Sequence, residues 1–249
     1  MSQAERAGFF TLGVSPDHYQ LPHPRLGLPV VLLVRRVLCR AFEMIREKNN
    51  RIADAQEDQI TAALLAIIEN DLRQTGSVHG FNRQSYEPVV RQAQVANYDG
   101  TRLAKTPDLR FKLRQYDIEP RLLSEYDSLF VECKPVDGSH AAGASYCDDG
   151  LIRFIRGDYA WAMQEGMMLA YVRDGRTIAG HLVPAMSEPK RMVSLAVAQL
   201  PQPCLHPEAA GGIRVETIHI SQHHRSFPWP DKKGQATDIT IYHLWHDCR

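Results

Sequence analysis

Apolar positions along this chain follow two rhythms, and the change from one to the other outlines the fold. Val31, Val34, Leu38, Phe42 and Ile45 recur at spacings of three and four, which predicts a helix over 28–48. Arg35, Arg36, Arg40 and Arg46 decorate it and read as a solvated face rather than a phosphate-contacting one. The strongest helical signal runs over 51–74. Ile60, Ala63, Leu64, Ile67 and Ile68 form its buried stripe, Asp54 is the expected cap, and Gly76 ends it. Acids open this helix, where they suit its positive end. Glu57 lies at the edge of the stripe and Glu69 nearly opposite, so Glu57 is the acid expected to face an interior site.

The second rhythm is alternation. Short strands are expected around 78–84 and 89–95, then over Thr106–Leu113 and Asp127–Pro135. In the last of these, Leu129, Val131 and Cys133 point one way and Phe130, Glu132 and Lys134 the other. Pro135 is expected to stop the ladder. Residues 134–150, with Gly138, Gly143 and Gly150, read as a flexible loop beside a site. A helix to about Gln164, a break at Gly166 and a strand over 167–172 follow. Another helix is expected over 175–186, with late strands over 193–198, 213–220 and 237–245. The class is therefore α/β with a β-rich C-terminal extension. Residues 1–50 form an arm and helix packing on the body, 51–175 the core, and 176–249 an extension of the same domain.

With 249 residues, 44% hydrophobic and 23% charged, the chain can bury a sizeable core. Lys plus Arg and Asp plus Glu number 29 each, so no global field draws it to nucleic acid. Any such contact needs a local patch or a recruiting partner. Five scattered cysteines without a CxxC, and no signal-peptide pattern, suit a reducing cytoplasm. The apolar run Leu28–Val34 is too short to cross a bilayer. Nucleotide-binding glycine loops are absent.

The chemistry gathers at the end of the apolar strand. Charged groups are rarely placed there unless they pair or bind something. Glu132 and Lys134 share one face, and Asp108 precedes them by enough chain for two adjacent strands and a turn. Two carboxylates and a carbonyl suit hard Mg²⁺, which would neutralise the charge that grows when a phosphodiester is hydrolysed. The Cys133 backbone carbonyl would be the third oxygen, and Lys134 would stabilise the transition state. The bland alternative is a Glu132–Lys134 ion pair on a solvated sheet edge.

Pro107-Asp108 followed by Glu132-Cys133-Lys134 resembles the PD-(D/E)xK motif of the restriction-endonuclease-like nucleases. That family's core is described as helix, three strands, helix, strand, which the pattern follows from about Arg51 to Val172. The resemblance implies Asp108 and Glu132 as metal ligands, Lys134 as the catalytic lysine and Glu57 as the acid of the first helix. Gln164 resembles the extra polar residue some members carry on the helix after the third strand, and Tyr171 is a weaker candidate. It implies a Mg²⁺-dependent endonuclease acting on DNA, with Mn²⁺ as a substitute, in a restriction or anti-phage setting. Recruitment by a partner or motor subunit, or a homodimer, would suit such an enzyme. A catalytically silent nuclease-fold binding module and an RNA nuclease are the alternatives.

Other features carry less. The late histidines His206, His219, His223, His224, His243 and His246, with Cys204 and Cys248, match no zinc-ligand spacing. His223-His-Arg-Ser226 reads as a surface loop before a phosphate contact, Trp229 as a core plug or a base-stacking ring, and Cys147 lacks an orienting partner for thiol catalysis.

Overall fold

Eight buried residues along one stripe, among them Val34, Leu38, Phe42 and Ile45, hold helix α1 (Leu28–Glu47) against a central sheet. In this computed structural model the described residues are 21–48, 52–102, 105–114, 126–230 and 233–249. The first part of the arm expected over 1–27 lies outside them, and 21–27 is irregular. The arm is tied down by Glu165, whose carboxylate accepts from the Leu26 amide at 2.6 Å and the Gly27 amide at 3.3 Å.

Helix α2 starts later than its periodicity suggests, at Glu57 rather than near Arg51, and runs Glu57–Ile67. Asp54 is not its cap. Gln56 is, in a reciprocal capping box with Gln59, so both orphan amide groups are met by side chains. The helix continues through a π-helical turn (Ile68–Leu72) and a last α-turn (Arg73–Thr75). Gly76 then adopts φ +65°, the left-handed stop. Glu69 does not face solvent. It binds Arg73 and accepts from the Val89 amide at 2.7 Å, anchoring the chain after α2.

The sheet has seven strands in the order β1-β2-β3-β4-β7-β6-β5. These are β1 (Val90–Arg91), β2 (Leu109–Phe111), β3 (Leu129–Val136), β4 (Glu165–Val172), β5 (Val197–Pro203), β6 (His219–His223) and β7 (Ile239–Asp247). Strands β1 to β3 form an antiparallel meander, β3, β4 and β7 run parallel, and β7, β6 and β5 are antiparallel. The expected strand over 78–84 is a set of turns. Pro135 does not end β3, which pairs with β4 as far as Val136. By then β2 has ended, so the proline's missing N–H costs no ladder bond on that side.

Two layers of helix cover the sheet. On one face α1 and α2 pack on β4 and β7: Phe42 stacks on His246 at 3.7 Å, and the Thr61 hydroxyl meets the Tyr171 hydroxyl at 2.9 Å. On the other lies α3, π-helical over Ala142–Leu151 and α-helical over Ile152–Ile155. This is the stretch whose glycines suggested a loop, and it is a helix. Tyr146 on α3 meets Trp245 edge-on at 5.6 Å. Residues 156–164, expected as the end of a helix, are turns. Helix α4 (a π-turn Ile178–Leu182, then Val183–Ser187) and α5 (Pro189–Ser194) precede β5. The strand expected over 193–198 thus starts later, after a helix that Pro189 opens. Among the described residues no helix is long and apolar enough to cross a membrane.

Candidate active site

Four charged side chains from neighbouring elements meet where β2 and β3 part. Leu109 pairs with Val131, so continuing the antiparallel register one step sets Asp108 across from Glu132. The Asp108 carboxylate turns back onto β3 and accepts from the Cys133 amide at 2.6 Å. Two residues on, Lys134 projects from the same face as Glu132, and its ammonium lies 2.9 Å from Glu132. It also donates to Glu57 at 3.1 Å. Glu57 sits in the first turn of α2, where a carboxylate suits the positive helix end. Gly150 on α3 leaves room for this lysine. A Cβ there would come within 2.8 Å of Met168 and 3.2 Å of the Lys134 stem.

Glu132 is fully buried in the sheet, so it is not half of an ion pair on a solvated rim. Both its oxygens are held. Arg153 donates to Oε1 at 2.8 Å, the same oxygen that Lys134 meets, and the buried Tyr159 hydroxyl donates to Oε2 at 2.5 Å. Sequence reasoning missed Arg153 and Tyr159. Their one signal is that they fall among the apolar residues of 151–163, a run that also carries Arg156 and Asp158.

Burial pushes the Glu132 carboxyl upward, while Lys134, Arg153 and the Tyr159 hydroxyl pull against it. Burial by itself would lower Lys134; Glu132, Asp108 and Glu57 outweigh it and hold the ammonium above its ordinary value. Asp108 is pushed up to about 7, first by burial and then by the Glu132 charge. Charge adds to the effect of burial: Asp108, Glu132 and Glu57 face Lys134 and Arg153, leaving one negative charge in excess. A partly buried site takes up a proton to relieve such an excess.

That raised value carries a test. Between 3.8 and about 7 folded Asp108 holds a proton that the unfolded chain has lost, so stability falls as pH rises through this window. Above it, the cost of ionised Asp108 is fully present. Asp108→Asn keeps an oxygen for the Cys133 amide and carries no charge. Thermal melts in chelator are expected to show the variant more stable above pH 7, by on the order of 2 kcal/mol, with the gain gone below pH 4. A gain independent of pH would refute the buried-charge account.

The donor set suits a hard cation in type and in charge. Asp108, Glu57 and Glu132 are oxygen ligands, and the surplus negative charge is what a divalent ion would offset. As they stand, these carboxylates surround the Lys134 ammonium. Among the described residues no group of three or more His, Cys, Asp or Glu side chains is arranged to hold a metal ion. Glu132 could ligate one only if a present donor, Lys134, Arg153 or Tyr159, gave way at its oxygens.

The remaining expected site residues lie elsewhere. Gln164 is not on a helix after β3; it precedes β4, and its amide donates to the His23 carbonyl at 2.9 Å, pinning the arm. Tyr171 is buried and spends its hydroxyl on Thr61. Arg225, in the run after β6, is buried and donates to the carbonyls of Thr237, Ala160 and Met163. It is a structural cross-brace, not a phosphate contact of a surface loop. Trp229 packs with Trp161 and Phe227 in a small second core. The late histidines do not converge as ligands. His243 and His223 share the Ser221 hydroxyl, each at 2.8 Å, inside the sheet, and burial keeps both neutral. Cys147 is buried, and its thiol is pushed up to about 12 by that burial, so it is no nucleophile.

What the elements place together is an acid–lysine cluster at the mouth of an antiparallel strand pair in an α/β fold with a mixed seven-stranded sheet. No protein-family model, curated protein or solved structure matches the chain.

Proposed function

We propose that this chain is a metal-dependent nuclease of the PD-(D/E)xK kind that hydrolyses phosphodiester bonds in DNA. One observation carries the reading. Asp108 stands across the ladder from Glu132, and the Lys134 ammonium lies between Glu132 and Glu57. The element order supports it: α2, the meander β1–β3, the helix α3, then β4 parallel to β3. That is the helix, three strands, helix, strand expected from the motif.

In this reading Asp108, Glu132, Glu57 and the Cys133 carbonyl would hold a Mg²⁺ or Mn²⁺ ion. Such an ion supplies charge neutralisation and activation of water. The chain's own residues do the rest. Tyr159 and Arg153 lock the Glu132 carboxylate so that it cannot turn away from the site. Lys134 sets a cation where negative charge grows on the phosphate oxygens. Asp108, tied to the Cys133 amide, keeps β2 and β3 in register at the point of reaction.

A second reading draws on a different observation. Both Glu132 oxygens already have donors, which suits a nuclease-fold binding module that does not turn over. The deciding experiment incubates the full chain with single-stranded DNA, duplex DNA and RNA, each with Mg²⁺, Mn²⁺ or chelator. Metal-dependent cleavage of DNA is expected. Cleavage of RNA alone would move the reading to an RNA nuclease. No cleavage, with no metal binding in calorimetry, would overturn it in favour of the binding module.

A further inference from the structure

A cavity of about 600 Å³ opens outside the acid–lysine cluster, and none of its lining belongs to that cluster. Tyr98, Arg102, Arg156, Asp158, His224 and Phe227 are among its walls. Its volume lies in the range of small-ligand sites. Its walls are joined through the chain to the side chains that hold Glu132. Asp158 immediately precedes Tyr159, whose hydroxyl holds Glu132, and Arg156 lies one turn beyond Arg153, which holds the same group. Arg102 stands shortly before Asp108 in the chain, on the segment that leads into β2.

The chemistry of the walls is that of a nucleotide site. Tyr98 and Phe227 stack nearly parallel, with ring centres 4.6 Å apart and planes at 22°. Gly157 makes this possible. It adopts φ +68°, and a Cβ there would lie 2.7 Å from Phe227 and 3.0 Å from Tyr98. Its carbonyl also accepts from the Tyr98 amide at 3.2 Å, which fixes that residue against the cavity. The walls are cationic in balance. Arg102, Arg156 and Arg225 face Asp99 and Asp158, and Asp158 is already shared between Lys105 at 3.0 Å and Arg102 at 3.3 Å. Asp99 is occupied in its own turn, accepting from the Thr101 amide and hydroxyl. Arg156 is exposed and, among the described residues, has no acid partner.

We propose that this cavity binds an unpaired nucleotide of the nucleic-acid strand that enters the acid–lysine site. Its base packs on the outer face of Tyr98, which the buried Phe227 backs, and its phosphate lies on Arg156 and Arg102. The inference rests on the nuclease reading for its substrate class. A base within a duplex is stacked on both faces and cannot reach a ring inside a cavity; an unpaired base can. Arginine side chains at the rim supply the phosphate contacts that a chain of zero net charge must gather locally.

The test measures binding and cleavage separately on the full chain. Fluorescently labelled oligothymidine and a blunt duplex of equal length are titrated in chelator, so that no reaction occurs. The single strand is expected to bind more tightly than the duplex. Tyr98→Ala should weaken single-strand binding about tenfold. Arg156→Gln should lower the slope of log affinity against log salt by about 0.7, the share of one phosphate contact. A purely structural role for Arg156 would leave that slope unchanged. Near-ultraviolet circular dichroism checks that each variant keeps its packed core. Wild-type affinity in both folded variants, equal binding of strand and duplex, or no binding at all would overturn the proposal. If Tyr98→Ala fails to fold, the Arg156 slope alone decides. Cleavage of the same oligonucleotides with Mg²⁺ is then read independently. Strand binding without cleavage sinks the nuclease reading and leaves the cavity its ligand; cleavage indifferent to both variants does the reverse.

Discussion

On the proposed nuclease reading, Lys134→Ala is expected to cut metal-dependent DNA cleavage about a hundred- to a thousandfold while the protein stays folded, the largest effect of any single substitution. The ammonium is held between Glu132 and Glu57, at 2.9 and 3.1 Å, with its stem under Gly150. Removing a preorganised charge aimed at a developing anion costs about a hundred- to a thousandfold in rate. The fold tolerates the loss because the partners it leaves are not stranded. Glu132 keeps Arg153 and Tyr159, and Glu57 keeps the positive end of α2. A time course on labelled duplex DNA with Mg²⁺, alongside a thermal melt, checks both halves. A variant that melts normally and cuts at the wild-type rate would remove Lys134 from the chemistry.

Tyr159→Phe is expected to be the most destabilising conservative change at the site. It deletes one hydroxyl and leaves shape intact. What remains is a fully buried carboxylate oxygen with no donor, and the loss falls on a charged group rather than a neutral one. The expected cost is about 3 kcal/mol, a fall in melting temperature of roughly 5–10 °C for a chain of this size. Denaturant unfolding at neutral pH in chelator measures it. A cost under about 1 kcal/mol would mean that Arg153 or Lys134 serves both oxygens.

The parts of the fold that could be read in the sequence are those whose information is local. The stripe on α1 reports which side faces the core, and the apolar run of β3 marks a strand that is buried on both faces. The position of Glu57 at the edge of a buried stripe was likewise enough to bring it towards Lys134. What escaped notice depends on distant partners. Gly143 and Gly150 suggested a loop over 134–150. They are glycines of close approach instead: the Arg191 guanidinium fills the place of a Gly143 Cβ, and Met168 that of Gly150. Strand β6, His219–His223, lies later than the strand expected over 213–220, for a related reason. His219, Ser221 and His223 look like surface residues, yet Ser221 and His223 are buried and satisfy each other. Arg153 and Tyr159 could not be assigned because nothing in a single chain tells which carboxylate a buried hydroxyl will meet. Gln164 was placed on a helix that ends well before it; the turn at Gly157 redirects the chain to seat the two rings.

The position of β7 has a kinetic meaning. It is the seam of the sheet, bonded to β4 on one side and β6 on the other, and its pairing with β4 joins Glu165 to Thr240. Until that late segment leaves the ribosome, β4 presents an apolar rim with unmet amides and carbonyls, open to other chains. Such long-range closure makes for slow folding. For as long as β7 is undocked, that rim is where one copy of the chain can pair with another.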